Sequence, residues 1–316
     1  MDYLVLLTGC VFFAVQFIFN KVCSKNTASD MSGGLIINIF QSGWIALTFF
    51  IANGLKMTYT ADSVKFAVLY AFLMILCNCC MAPALKYGKI SVLSLFTLAG
   101  CLVIPSVFGI IFLKEDVQVS DIVAIVVILI SFIISSAEDI MPSKSNDKNE
   151  KSEKPKALFW VLCLITFFGN GLVSVVSKLH VISENSVPTY DFLVCASLTR
   201  FLIASVIITS IGIANRISQK GTIMQSAFDF FGISGRKSVL PVVLGGLGYG
   251  LCNGIGNIFS MKSQKTMNAS LQFPLLSATV VVLTALLGFA VYKEKPSKFE
   301  IIGMSFTVAG ALIMII

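Results

Sequence analysis

The sequence predicts an all-α polytopic membrane protein with ten transmembrane helices arranged as two inverted five-helix repeats. Hydrophobic residues make up 56% of the 316-residue chain and charged residues only 12%, too few to coat a soluble protein of this size. Ten apolar segments have about the 20 residues that a helix needs to cross a bilayer. They lie near 3–20, 33–53, 65–85, 91–113, 119–137, 157–177, 188–214, 239–261, 269–292 and 300–316. Their continuous apolarity excludes the alternating strands of a membrane barrel.

A polar linker at residues 138–156 divides these segments into two groups of five. It combines mixed charge with Ser and Pro and has no apolar periodicity, so we expect it to be flexible and solvated. The flanking regions, 1–137 and 157–316, are each predicted to form one five-helix repeat. The second repeat carries an extra segment at 216–237. A helix on the membrane surface and an ordinary exposed loop both remain open for it.

Polar residues recur at matching places in the two halves. An offset of 179 residues aligns Asn78 with Asn257 and Glu115 with Glu294. Because each repeat has an odd number of spans, the second must cross the membrane in the opposite sense. Inverted repeats of this kind are typical of carriers, which bind their cargo near the middle of the membrane. A channel or a structural membrane protein would be a less common use of the same architecture.

At this point the chain resembles the ten-helix EamA-like family of the drug/metabolite transporter superfamily. FAVQFIFNK at 13–21 is similar to the family's WGSNFVAIK pattern, and LTRFLIASVII at 198–208 to its arginine-phenylalanine run. Gln41, at the equivalent place in the second span, departs from that run. ALKYGKISVLSLFTLAGCLVIPSVFGIIFLKED at 84–116 and KTMNASLQFPLLSATVVVLTALLGFAVYKEK at 265–295 share the family's turn, proline-containing span and closing glutamate.

The resemblance implies a secondary transporter of a small metabolite in the cell membrane, acting as a single chain and commonly exporting amino-acid-like solutes. A multidrug or nucleotide-sugar-type carrier and a non-transporting membrane scaffold or receptor remain open, because the fold does not determine the cargo. The resemblance also implies cytoplasmic termini. The loop charges favour the reverse orientation, with six basic residues on the side of the termini and sixteen on the other, and the positive-inside rule conflicts with the family here.

Polar side chains inside the predicted spans are candidate substrate ligands, because each is costly in lipid. Most are amides, which both donate and accept hydrogen bonds and suit a zwitterionic or polar neutral ligand. Hydrogen bonding between helices explains a buried amide equally well. For Arg200, an anionic group of the cargo and a structural role are both open. The candidates are Gln16, Asn20, Asn78, Asn170, Ser174, Arg200, Asn253, Asn257 and Gln272.

Acidic residues are predicted only in loops and near span ends, which argues against proton-coupled export of cationic drugs. Nine Cys lie almost entirely in apolar segments, where a thiol packs as a small hydrophobe. The cluster CNCC at 77–80 is not predicted to bind a metal, because the single His, His180, is placed far away in a loop. We therefore expect no metal and no cofactor.

Enzyme and nucleic-acid functions are also not predicted. The sequence has no P-loop, no HExxH motif and no Ser-His-Asp set. Its basic residues are spread through connecting segments without a basic stripe beside stacking aromatics. The run GGLGYGLCNGIGN at 245–257 lies inside a span, so its glycines indicate a face for close helix packing and not a dinucleotide loop.

Overall fold

A computed structural model describes residues 2–27, 31–87, 90–135, 156–218, 239–292 and 297–315. Within these ranges the chain forms ten helices: α1 Asp2–Lys25, α2 Met31–Ala52, α3 Ala61–Tyr87, α4 Ile90–Phe112, α5 Val119–Ser135, α6 Lys156–Ile182, α7 Thr189–Ser218, α8 Val239–Gln264, α9 Ala269–Tyr292 and α10 Lys298–Ile315. Each corresponds to one predicted apolar segment.

Seven helices of the described chain are long and apolar enough to cross a membrane, namely α1, α2, α3, α6, α7, α8 and α9. Two shorter apolar helical stretches lie at Phe96–Phe112 and Val119–Ile134. The prediction of an all-α, multi-pass membrane protein is therefore confirmed. Apolar side chains such as Phe72 and Phe112 remain more than half exposed, as expected where a lipid bilayer replaces water.

The helices form two compact units, each of which takes helices from both sides of the predicted linker. Unit 1 comprises Met1–Ala82 and Val176–Thr266. Within it α1 packs along α8, α2 packs along α7, and α8 also contacts α2. A buried apolar cluster that includes Phe49, Phe192 and Met261 joins α2, α7 and α8.

Unit 2 comprises Pro83–Val175 and Met267–Ile316. Here α5 packs along α10, α4 packs along α9, and α9 contacts α10. The backbones of α4 and α6 approach so closely that a Cβ on Gly100 would overlap the carbonyl of Phe167. Glycine is therefore required at this crossing.

Two predicted segments lie almost wholly outside the described residues. Of the linker at 138–156, the structure describes Lys156, the first residue of α6. Of the segment at 216–237, it describes residues 216–218, which end α7. The division into two sequence repeats rests on internal similarity and stays a prediction.

Candidate functional site

Three of the predicted site residues form a chain of amides in unit 1. Asn253 of α8 donates from Nδ2 to Oε1 of Gln16 on α1 at 2.7 Å. One turn further along α8, Asn257 donates to the backbone oxygen of Asn253 at 2.8 Å and to its Oδ1 at 3.1 Å. The chain of amides thus joins α1 to α8.

Two further amide pairs in the same unit involve α2. Gln41, which is 1% exposed, donates from Nε2 to Oδ1 of Asn20 on α1 at 3.2 Å. Asn78 of α3 donates from Nδ2 to Oδ1 of Asn38 at 3.0 Å. Each of these bonds uses one donor and one acceptor, and an amide has two of each. The half-buried Asn20 and Asn78 therefore keep hydrogen-bonding capacity for a ligand.

Glycines on two faces of α8 allow the amide-bearing helices to approach one another. A Cβ on Gly250 would lie 3.1 Å from the Cβ of Trp44 on α2. On the other face, a Cβ on Gly256 would lie 2.9 Å from the ring of Phe13 on α1. The prediction that the run at 245–257 is a packing surface is confirmed, and this packing brings Asn253 within reach of α1.

Arg200 lies in the middle of α7 and is 3% exposed. Its guanidinium is within electrostatic range of the hydroxyl groups of Tyr249 and Tyr70. Its Nε and Nη2 atoms are buried and have no hydrogen-bond partner among the described residues. These two nitrogens share one edge of the planar group, so they can donate in parallel to one bidentate acceptor.

The remaining predicted site residues lie in unit 2. On α6, Asn170 donates from Nδ2 to the carbonyl of Thr166 at 2.9 Å, and Ser174 donates to the carbonyl of Asn170 at 3.3 Å. Ser174 is also hydrogen-bonded to the thiol of Cys101 on α4. Gln272 on α9 is fully buried. Asn170 therefore bonds within its own helix, in contrast to the paired amides of unit 1.

The predicted loop position of His180 is wrong. Helix α6 continues to Ile182, five residues beyond the predicted end of the span, and His180 is 1% exposed. Its ring stacks on Phe192 with centroids 3.8 Å apart, and its Nε2 lies 3.2 Å from Oγ of Ser63 on α3. The packing of His180 against Phe192 of α7 stabilises the last turn of α6. The polar residues of that turn did not predict a helix.

Lys178, also expected in a loop, is buried by the same extra turn. It is 6% exposed, and its Nζ donates to the carbonyl of Gln264 at 2.8 Å. That carbonyl lies in the last turn of α8, where the helix dipole favours a cation. The side chain of Gln264 accepts a hydrogen bond from Ser177 at 3.2 Å, so α6 and α8 are joined twice here.

The acidic residues of the described chain lie in connecting segments or in first helical turns, as predicted. The most buried of them, Asp191, is 4% exposed and lies in the first turn of α7. It accepts hydrogen bonds from Asn53 and Thr58, which follow α2. Its carboxylate is thus bound within the protein at a helix end.

Glu115 ties a connecting segment to a helix end within unit 2. Its Oε1 accepts from the backbone N–H of Ala269 at 2.8 Å. Its Oε2 accepts from the backbone N–H and the hydroxyl of Ser270, each at 2.9 Å. A carboxylate at this place satisfies free donors and complements the positive end of the α9 dipole. The symmetry-related Glu294 lies outside the described residues.

Three polar residues near the candidate site were missed from the sequence. Asn38 lies within an apolar span, so the criterion that selected Asn78 would also have found it. Tyr70 and Tyr249 gave no such signal, because tyrosine is common in membrane helices. Their importance comes from α3 and α8, which place their hydroxyl groups near Arg200.

The arrangement supports noncovalent binding of a small polar ligand. Amides supply donors and acceptors, and Arg200 supplies a buried positive charge. Among the residues that the structure describes, no group of three His, Cys, Asp or Glu side chains could hold a metal ion. The nine cysteines have free thiols and are buried or half-buried.

Comparisons with known proteins add a family and a fold. The family model for the EamA-like transporter family matches residues 155–316, slightly more than half of the chain. A comparison with curated proteins gave no match. Twenty-nine chains of solved structures are similar to this one.

One of these similar chains, a crystal structure described only as that of a protein, has a TM-score of 0.65 and 14% sequence identity. The alignment covers 100% of this chain and 98% of that one. At so low an identity the similarity shows a shared fold alone.

Proposed function

Because the chain belongs to the EamA-like transporter family, we propose that it is a secondary transporter that exports amino-acid-like solutes across the cell membrane. Family membership is the observation that carries the proposal. It establishes a multi-pass membrane protein with a small-molecule cargo, since EamA-like proteins are transporters and not enzymes. The class of cargo and the direction of transport go beyond family membership and are what we propose.

We propose that all ten helices cross the bilayer as two inverted five-helix repeats. Five of the described helices precede the predicted linker and five follow it, so the second set begins on the opposite membrane face. Support also comes from the matched positions of Asn78 and Asn257 in the two sets. Inverted repeats allow a carrier to expose one binding site alternately to the two sides.

The buried amides support a polar neutral or zwitterionic cargo. Asn20, Asn78, Asn253 and Asn257 are each half-buried and carry both donors and acceptors. A cationic drug would need a carboxylate in the middle of a span, and the described acids lie at helix ends and in connecting segments. Amides can accept hydrogen bonds from the ammonium group of an amino acid and donate them to its polar oxygens.

Counterflow in proteoliposomes tests this function. Vesicles containing the purified protein are loaded with each of the twenty common amino acids, and uptake of the same labelled amino acid is measured. We expect uptake of at least one amino acid, with loss in Asn78→Ala and Asn257→Ala. Thr209→Val removes a hydroxyl that is exposed on α7 and bonded to its own helix, and it should retain wild-type flux.

Other outcomes would identify the alternatives. Flux of drugs or nucleotide sugars, without flux of amino acids, would replace the proposed cargo. No flux of any solute by a stably folded protein would favour a scaffold or receptor. Unchanged flux in both Asn variants would remove the amides from the proposed site.

We also propose that the protein works as a single chain with both termini in the cytoplasm, as is usual in the family. The basic loop residues favour the opposite orientation, so the point needs a direct test. A phosphatase that is active only outside the cytoplasm, fused after Ile316, should be inactive. An active fusion would reverse the proposed orientation.

A further inference from the structure

The depth of Arg200 distinguishes it from Arg216, the other basic residue of α7. It is the twelfth residue of a helix that begins at Thr189. At 1.5 Å per residue, Arg200 lies about 17 Å from the start of the helix. The hydrocarbon core of a bilayer is about 30 Å thick, so the guanidinium lies near its middle, out of reach of lipid headgroups.

The guanidinium is also incompletely bonded. Arg200 is 3% exposed, yet its Nε and Nη2 have no hydrogen-bond partner among the described residues. An unpaired cation in an apolar interior costs several kcal/mol. The neighbouring groups Tyr70 and Tyr249 are neutral phenols and do not balance its charge.

The position in α2 that corresponds to Arg200 in the repeat alignment carries an amide and not a cation. Gln41 occupies this position, is as deeply buried as Arg200, and bonds to Asn20 at 3.2 Å. A neutral amide in α2 is thus bonded within the protein, whereas Nε and Nη2 of the cation in α7 are buried without a hydrogen-bond partner among the described residues. That asymmetry indicates a ligand at Arg200.

We propose that Arg200 binds the carboxylate of the transported solute through Nε and Nη2. This inference rests on the proposed function and defines the cargo as a solute that carries one carboxylate. Two parallel N–H groups match the two oxygens of a carboxylate. One carboxylate cancels the charge of Arg200, whereas a phosphate dianion would leave a net negative charge, so a monoanionic group is favoured in the membrane interior.

The test separates binding from transport. The wild-type protein in nanodiscs is titrated with the twenty common L-amino acids and with the corresponding L-amino acid amides, in which a neutral carboxamide replaces the carboxylate. Ligand-induced shifts of the unfolding temperature give apparent affinities. Counterflow of the same compounds in proteoliposomes gives transport.

An amino acid that binds the wild-type protein should bind at least about 30-fold more tightly than its amide, because loss of one partner of a buried charge pair has at least this effect. Arg200→Gln should abolish that preference. Arg200→Lys keeps the charge but loses the bidentate edge and should retain part of it. Lys262→Gln removes an exposed positive charge at the end of α8 and should bind like the wild type.

Each result decides between the two proposals. Transport of amino acids with equal binding of their amides by the wild type would overturn the carboxylate site and leave the transport function standing. Binding that depends on Arg200, without flux, would support the site and overturn transport. No binding and no flux of any amino acid would overturn both.

Two further arms examine other anions and the fold of the variants. Stronger stabilisation by inorganic phosphate than by any amino acid would overturn the choice of a carboxylate. The comparison of acids with amides uses the wild-type protein, so misfolding of Arg200→Gln leaves the proposal testable.

Discussion

In unit 1 two candidate amides, Asn253 and Asn78, donate across helices, from α8 to α1 and from α3 to α2, whereas in unit 2 Asn170 donates to its own helix. An amide that is bonded to its own backbone keeps that bond whether or not a ligand is present. An amide that is paired with another side chain can exchange that partner for a ligand at little cost. Unit 1 is therefore the better place for adaptable recognition, and unit 2 obtains its cohesion from backbone packing and a helix cap.

The largest expected effect tests the close backbone packing of unit 2. In Gly100→Ala the new Cβ would overlap the carbonyl of Phe167. A backbone carbonyl within a helix cannot rotate away from the new Cβ as a side chain could. We therefore expect the free energy of unfolding to fall by about 3 kcal/mol or more. In unit 1, a Cβ on Gly34 would lie 2.7 Å from the carbonyl of Asn78, and Gly34→Ala should cost less. SDS titration in mixed micelles measures both, and a smaller loss in Gly100→Ala would reverse this part of the comparison.

The next prediction concerns the cap of unit 2. Glu115→Ala leaves the N–H groups of Ala269 and Ser270 without the carboxylate that they contact, and should lower the free energy of unfolding by about 2 kcal/mol. The adjacent Asp116 is exposed, so Asp116→Ala serves as the matched control and should behave like the wild type in the same titration. Equal stability of the two variants would show that the cap contributes nothing.

A smaller change in stability, with a larger change in flux, is expected for the amides of unit 1. Asn253→Ala removes the bond to Gln16 and should cost roughly 1 kcal/mol, as for other hydrogen bonds between membrane helices. Its flux should nevertheless fall more than its stability predicts, because ligand contacts are lost as well. Comparison of counterflow with the SDS midpoint provides the measurement. A fall in flux that is proportional to the fall in stability would mean that Asn253 contributes to helix packing alone.

The smallest effect concerns a hydroxyl pair in unit 2. Oγ of Ser131 on α5 lies 2.7 Å from Oγ1 of Thr307 on α10. Each hydroxyl has one hydrogen and can donate it to a carbonyl of its own helix instead, so a double-mutant cycle with Ser131→Ala and Thr307→Val should give a coupling energy of about 0.6 kcal/mol. The same cycle for Asn38 and Asn78 in unit 1 should give more. Equal coupling would remove the distinction between the two units.

The ten helices could be predicted from the sequence because the requirement for satisfied backbone in lipid leaves few alternatives. The end of α6 could not, since its last turn is stabilised by the stacking of His180 on Phe192, a contact across the polar connection at 183–188 that appears only in the fold. Boundaries depend on tertiary contacts in this way, whereas the existence of a span depends on its own composition.

The residue types of the candidate site could be predicted from the sequence, but the hydrogen-bond partner of each residue could not. Buried amides are visible as polar letters in apolar runs, yet the partner of Gln41 or of Asn78 depends on which helices become neighbours. Glu115 shows the same limit. Its match with Glu294 marked a helix boundary in the sequence, and its bonds to residues 154 and 155 positions later appear only in the fold.

The glycine faces of α8 have a mechanical consequence. Where two helices interlock through large side chains, axial sliding requires whole side chains to leave their grooves. Gly250 presents an almost smooth surface to the Cβ of Trp44 and the backbone of α2, and Gly256 presents one to the ring of Phe13. At these two contacts α8 has no side chain that must leave a groove when the helix slides or rolls. A bulky side chain in place of either glycine would obstruct this movement and hold α8 at one axial position against its neighbours.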